Sequence, residues 1–265
     1  MPENKTPLPR DPDEPIFGTQ PPNPALLTPP TIDAAPYYSD DAVTLYHGNC
    51  LELTAWTGAD ALLTDPPYGR DWQQGGLTGA RRPGGHPRRA SRSSAGIAGD
   101  KDTSVRDAAL DVWGGVRPVL VFGDLMLAPP TGTKQVLVYR KPMDSGMRGA
   151  MGGRRRDAEA IYMLGRWTSG IGGASSIIAS RAPNVGNPSG IVTRSGGHPH
   201  AKPLDVLAEL ITMLPVDAVI ADPFAGSGST LIAAKLAGHR AIGIELEERY
   251  CEMAARRLAQ GVMPF

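Results

Sequence analysis

The chain has 265 residues, with 27 basic and 27 acidic side chains and a formal net charge of +0. That length suits one sizeable α/β core with insertions, and the charge balance excludes a global pull toward nucleic acid, so any such affinity has to come from a local basic patch. Cys50 and Cys251 lie far apart without metal-ligand neighbours, which reads as two reduced thiols of a cytoplasmic protein; no metal site, signal peptide or membrane span is expected.

Residues 1–36 are dense in proline and poor in large apolar groups, as in Pro7-Leu8-Pro9 and Thr28-Pro29-Pro30. Such a composition cannot repay the entropy of ordering, so a disordered or extended tail is expected. Structure should begin with the strand-like run Val43 to Cys50, which ends in a turn at Gly48-Asn49. Asp60 to Thr64 then reads as a buried strand, and at its carboxyl end stands Asp65-Pro66-Pro67-Tyr68-Gly69. Open α/β sheets place their chemistry at that edge. The prolines restrict the backbone on both sides, and Pro67 has no amide hydrogen to compete for the Pro66 carbonyl. The Asp65 carboxylate and that carbonyl are therefore two acceptors suited to the two hydrogens of a nucleobase amino group, with Tyr68 as a stacking ring. A rigid turn with a packing tyrosine is the plainer reading of the same residues.

Residues 70–98 are rich in Gly, Ser and Arg, including Arg81-Arg82, Arg88-Arg89 and Arg92. So long a connection suggests a basic loop that closes over DNA with its arginines on phosphates; a solvated insertion is the alternative. Val105 to Trp113 is predicted helical. Pro118 to Gly123, Gln135 to Tyr139 and Glu159 to Leu164 are predicted as strands without chemistry of their own. His198 and His200 have no acidic or thiol companion and are not read as metal ligands. Pro203 opens a helix with Leu204, Leu207, Leu210 and Ile211 on one face.

Val219-Ile220-Ala221 is the next buried strand, followed by the loop Asp222-Pro223-Phe224-Ala225-Gly226-Ser227-Gly228-Ser229-Thr230. Gly226 and Gly228 permit positive φ and let a ligand lie against the backbone at a helix N-terminus, where Ser229 can cap. The helix runs from Leu231 to Ala237 and closes at Gly238; the strand Arg240 to Ile244 then leads into Glu245. An acid about 20 residues past such a loop is placed to hold two ribose hydroxyls. No Lys precedes the Ser/Thr, which discounts a phosphate-binding P-loop, while a structural turn remains open. A last amphipathic helix, Glu247 to Gln260, turns Tyr250, Met253, Ala254 and Leu258 to the core and ends at Gly261.

Asp65-Pro66-Pro67-Tyr68 followed far downstream by Asp222-Pro223-Phe224-Ala225-Gly226-Ser227-Gly228 resembles the S-adenosylmethionine-dependent DNA amino-methyltransferases. The tetrapeptide precedes the cofactor loop, as in the permuted beta group of that family, and the resemblance covers residues 43 to 260. It implies an α/β, Rossmann-like methyltransferase fold with a mostly parallel, roughly seven-stranded sheet and a small target-recognition insertion. It further implies methyl transfer from S-adenosyl-L-methionine to the N6 amino group of adenine in double-stranded DNA. N4-cytosine methylation, an RNA substrate and a non-catalytic DNA-binding protein on the same scaffold are the alternatives. By this resemblance Asp65, Pro66, Pro67 and Tyr68 are catalytic. Phe224, Gly226 and Gly228 line the methionine moiety, within a cofactor loop that includes Asp222, Ala225, Ser227, Ser229 and Thr230. Glu245 binds the ribose, and Lys202, before Pro203, stands at the methionine end. Asn49 takes the place of the Asp that usually contacts the cofactor's adenine edge. Residues 143–198, between the two motifs, are assigned to target recognition, with Arg148, Arg154-Arg155-Arg156 and Trp167 as candidate DNA contacts; Trp167 also has a packing reading.

Overall fold

A computed structural model of the chain describes residues 34–70, 98–141, 156–167, 173–180 and 201–260. The expected tail before residue 34, the basic loop between its two ends, the paired histidines, Gly261 and most of the assigned recognition region, including Arg148, Arg154 and Arg155, lie outside the described residues.

Nine strands and four α-helices follow one another as β1 (Tyr38–Ser39), β2 (Val43–His47), a 3₁₀ turn (Thr54–Gly58), β3 (Ala61–Thr64), α1 (Ser104–Trp113), β4 (Val119–Gly123), β5 (Gln135–Arg140), β6 (Ala158–Leu164), β7 (Ile177–Ala179), α2 (Leu204–Ile211), β8 (Val219–Asp222), α3 (Ser229–Leu236), β9 (Arg240–Glu245) and α4 (Glu248–Ala259) among the described residues. All nine strands join one sheet in the order β1-β2-β9-β8-β3-β4-β6-β5-β7. The five from β2 to β4 run parallel, β6 runs antiparallel to both β4 and β5, and β7 is parallel to β5. This is the expected Rossmann-like, mostly parallel α/β sheet. It exceeds the expected roughly seven strands by two short edge pieces, β1 with two residues and β7 with three, too short to show a side-chain period. Strands β8 and β9 come last in sequence but sit between β2 and β3, which is the permuted order in space.

The apolar runs of β3 and β4 are buried on both faces, as parallel strands must be when helices cover each side. Ala61, Leu63, Leu120 and Phe122 face a core built with α2, α3 and α4; Leu62, Val119 and Val121 face Trp56 of the 3₁₀ turn and Ala109 and Trp113 of α1. Trp56 stacks on Trp113 at a 5.9 Å centroid separation, and its indole N–H donates to the Cys50 carbonyl at 2.9 Å. Helix α3 packs against both α2 and α4, and its small residues Ala233 and Ala234 permit that close approach. On α4 the fully buried stripe is Cys251, Ala254 and Leu258, while the expected Tyr250 and Met253 lie half-buried on its flank. Helix α2 starts one residue later than predicted, with Pro203 as its N-cap. Trp167 packs half-buried against the core and donates from Nε1 to the Leu164 carbonyl at 2.9 Å. Among the described residues no helix is long and apolar enough to cross a membrane.

Gly243 on β9 lets the α3 layer close onto the sheet. A Cβ there would lie 2.6 Å from Leu231 Cδ1 and 3.2 Å from Ala225 Cβ, and Leu231 is fully buried, so its methyls have no solvent to retreat into. Gly243→Ala is expected to lower the free energy of unfolding by about 1–3 kcal/mol, measured by chemical denaturation.

Candidate active site

The parallel strands end their carboxyl termini on a common rim. His47 closes β2 beside Glu245 of β9, and the Gly48 amide donates to the Glu245 carbonyl at 2.9 Å. Asp222 closes β8, and Asp65 follows the last residue of β3. Thr64 Oγ1 donates to Asp222 Oδ1 at 2.6 Å, joining the tetrapeptide strand to the glycine-loop strand across 158 positions of sequence.

Asp65 lies in a charge network of partly buried side chains. Lys202 Nζ donates to Asp65 Oδ2 at 2.6 Å and stands 3.3 Å from Glu159 Oε2. Tyr68 donates its hydroxyl to Glu159 Oε2 at 3.1 Å, and Lys141 Nζ pairs with Glu159 Oε1 at 2.5 Å. Asp65 Oδ1 is buried without a hydrogen-bond partner. The Lys202 ammonium sits 4.9 Å from the Phe122 ring centroid and 5.3 Å from that of Tyr68. Burial raises the Asp65 pKa above the ordinary range against the pull of Lys202, and Glu159 raises it further. Burial also disfavours the charged form of Lys202, but Asp65 and Glu159 outweigh it and hold that pKa up. For Glu159 burial is likewise outweighed, by Lys202 and Lys141, and its pKa is held down at about 2.

The exit from the tetrapeptide is fixed by groups that no motif identifies. Asp100, 3% exposed, accepts from the Gly69 amide at 2.7 Å and the Arg70 amide at 3.3 Å. Gly69 has φ +79°, and a Cβ there would lie 2.5 Å from the Asp102 backbone, so glycine is required. Arg70 also pairs with Asp124 beyond the end of β4. Pro66 is buried and Pro67 half-buried in this turn.

In the glycine loop, Gly226 and Gly228 both take positive φ, at 51° and 78°. Glu245 Oε2 accepts from the Gly226 amide at 2.7 Å and Oε1 from the Glu247 amide at 2.8 Å, while the Ala225 amide donates to the Ile244 carbonyl at 2.9 Å. Burial raises the Glu245 pKa. The N-cap of α3 is Gly228, with no side-chain cap, so Ser229 is a helical residue rather than the expected cap. Arg257 of α4 donates from Nη1 to the Ser227 carbonyl, to Ser227 Oγ at 2.9 Å and to Ser229 Oγ at 3.3 Å. Ser227, Ser229 and Thr230 are all buried, and Phe224 is half-buried. Asp222 Oδ1 accepts from the Phe224 amide at 3.1 Å as well as from Thr64. At the end of β2, Asn49 Oδ1 accepts from the Leu51 amide and Nδ2 donates to Glu52, each at 3.0 Å.

The fold thus gathers Asp65, Tyr68, Lys202, Asp222, the glycine loop, Glu245 and Asn49 on one rim. It adds Glu159, from a strand expected to carry no chemistry, and Lys141, just beyond another. Their sequence signal is slight, a glutamate heading an apolar strand and a lysine just past the end of another. A family model described as DNA methylase, for the N6/N4 methyltransferases, matches residues 105–256, more than half of the chain. This chain belongs to the N6/N4 DNA methylase family.

Among curated proteins, the type II methyltransferase M2.MboI of Moraxella bovis is 44% identical over 63 residues, covering 23% of this chain and 23% of that protein. M2.LlaDCHI of Lactococcus lactis is 40% identical over 68 residues, 25% of each chain. The matched stretches span between 20% and 28% of the length of these and similar curated relatives. Solved structures share the fold: the M1.HpyAVI–SAM complex at TM-score 0.53 and 17% identity, covering 81% of this chain and 99% of that one, and the cytosine-N4-specific PvuII DNA methyltransferase at TM-score 0.60 and 13% identity, covering 88% and 92%.

In this N6/N4 family member, Asp222 makes the rim sensitive to pH. Burial pushes its pKa from the ordinary 3.8 up to about 6, against the hydroxyl hydrogen bonds it accepts. A raised acid pKa means that the folded state binds the proton more tightly. The resulting stabilisation is full below the unfolded value of about 4 and is lost as pH rises through the folded value. Asp222→Asn removes this titration. Thermal melts are expected to show wild type losing stability relative to the variant as pH rises from 3.8 through about 6.

Proposed function

We propose that the protein transfers the methyl group of S-adenosylmethionine to the N6 amino group of adenine in double-stranded DNA. The observation that carries this reading is the position of Asp65: a carboxylate with one buried, unpartnered oxygen, one strand away from the positive-φ glycine loop. The cofactor fits the donors present. Phe224, Gly226 and Gly228 hold its methionine moiety, Lys202 stands at that end, Asn49 meets its adenine edge, and Glu245 takes its ribose hydroxyls. Each Glu245 oxygen already accepts one amide, but a carboxylate has about four acceptor sites, so capacity remains. Asp222, Ala225, Ser227, Ser229 and Thr230 shape the loop from behind. S-adenosylmethionine, when bound, supplies an electrophilic methyl group.

The chain's residues do the rest by orientation. Asp65 and the Pro66 carbonyl accept the two amino hydrogens, which favours a pyramidal nitrogen with its lone pair free, and Pro67 offers no competing amide donor. Extracting the base from the duplex costs a few kcal/mol, and stacking on Tyr68 returns about 1–3 kcal/mol. A hydrogen bond to the Asp65 carboxylate adds about 1.5–3 kcal/mol, enough with the stack to favour the extracted base. The arginines of residues 70–98 and the region 143–198 are assigned to phosphate contact and target recognition. By the family resemblance, an Asp rather than a Ser at the head of the tetrapeptide points to adenine over cytosine, and the reduced thiols suit a cytoplasmic enzyme.

The test is incubation of the protein with methyl-labelled S-adenosylmethionine and mixed-sequence DNA, followed by nucleoside mass spectrometry. N6-methyladenine is expected. N4-methylcytosine would reassign the base, methylation of RNA alone would reassign the polymer, and DNA binding without any methyl incorporation would leave a binding protein. Asp65→Ala is expected to lower the rate at least about 100-fold while cofactor affinity changes little, as isothermal titration can show.

A further inference from the structure

The two oxygens of Asp65 have different surroundings: Oδ2 accepts from Lys202, and Oδ1 is buried with no partner. A lysine paired with Asp65 alone would compete with any amino group seeking that carboxylate. Lys202 is not so restricted, because it lies between two anions, 2.6 Å from Asp65 and 3.3 Å from Glu159. A displacement on the order of 1 Å reverses which of them it favours, since hydrogen-bond strength falls steeply over that range. Lys202 and then Lys141 hold the Glu159 pKa down against burial, and Lys141 pairs with the other oxygen of that carboxylate. Tyr68, the ring on which a base would stack, donates to the Glu159 oxygen that faces Lys202.

We propose that Glu159 is a positioning residue that holds Lys202 as a transferable counter-charge: Lys202 neutralises Asp65 in the free protein and shifts its main pairing to Glu159 when a target amino group donates to Asp65. The inference rests on the methyl-transfer reading and deepens it. The charge of the partly buried site stays balanced in both arrangements, so the carboxylate is released as an acceptor without leaving an ammonium unpaired. Because Tyr68 and Lys202 meet at one oxygen, movement of the stacking ring and movement of the charge are coupled. The ionisable groups around Asp65 are Lys202, Glu159 on β6, Tyr68, Asp222 on β8 and Tyr139 on β5.

The experiment uses the full chain, methyl-labelled S-adenosylmethionine and an adenine-containing duplex, with wild type, Glu159→Gln, Lys202→Met and the double variant. Glu159→Gln is expected to lower kcat about tenfold while the KM for cofactor stays within about twofold; on the Lys202→Met background the same change is expected to alter kcat less than about threefold. In the free protein, with neither cofactor nor DNA, the Asp65 carboxyl ¹³C signal, assigned by its loss in Asp65→Asn, should titrate at lower pH in Glu159→Gln, since an anion that raises its pKa is gone. The acid limb of the kcat–pH profile should move the same way, a change that loss of packing does not produce. Glu159→Asp keeps the anion on a shorter arm, should fall between wild type and Glu159→Gln, and carries the test by the same readouts if the Gln variant does not fold. Equal effects of Glu159→Gln with and without Lys202, or an unmoved Asp65 titration, would overturn the proposal while a methylating wild type leaves the functional reading standing. A wild type that methylates no DNA removes the functional reading and this inference together.

Discussion

The parallel pairing of β3 with β8, Ala61 against Ile220 and Leu62 against Ala221, places the ends of two distant segments side by side. The Thr64 hydroxyl on Asp222, at 2.6 Å, locks that pairing where the strands terminate. Asp222 in turn accepts the Phe224 amide and so sets the first turn of the glycine loop, while Asp65 emerges next to it from β3. Both motifs inherit their positions from this one contact. Parallel strands point all their carboxyl ends one way, and a sheet covered by helices on both faces leaves that rim as the natural place for a ligand.

Around this contact the protein uses charge in two distinct ways. On the glycine-loop side, single groups bind the backbone: Glu245 grips the Gly226 amide and Arg257 grips the Ser227 carbonyl, so the loop is held by residues 19 and 30 positions away in sequence. On the tetrapeptide side the charges face one another, with Lys202 shared between Asp65 and Glu159 and Lys141 behind them. Fixed dipoles and preformed ion pairs cost little to reorganise once formed, which is what orientation-driven group transfer asks of a site. Among the described residues two buried side-chain polar atoms have no hydrogen-bond partner, Asp65 Oδ1 and Trp113 Nε1, and of the two only the Asp65 oxygen lies in this network.

Much of this was legible in the chain itself. Proline and glycine identify Asp65 to Gly69 and Asp222 to Gly228 as turns because their backbone limits act locally, and the apolar runs before each turn specify buried strands for the same reason. Glu159 was legible only as part of a strand. Its role depends on β6 running antiparallel beside β4, which brings the start of that strand to the carboxyl rim. Arg257 was hidden likewise: a basic residue in the last turn of α4 suits the helix dipole anywhere, and only the packing of α4 beside the loop turns it onto Ser227. Ser229 shows the reverse. Its type suits a cap, but Gly228 in the left-handed region occupies that position and the serine hydroxyl is drawn to Arg257.

Sequence by itself determined the motif order and the two turns on which the site is built, because strand burial, proline restriction and glycine freedom are properties of a few adjacent residues, and the fold class followed from the family resemblance those motifs carry. Tertiary structure alone decided that Lys202 pairs with Asp65, that Glu159 and Lys141 complete the network, and that Arg257 and Glu245 hold the loop. Those contacts join residues up to 137 positions apart. Their energies depend on burial and on distances of a few ångströms, quantities that exist only once the sheet has assembled.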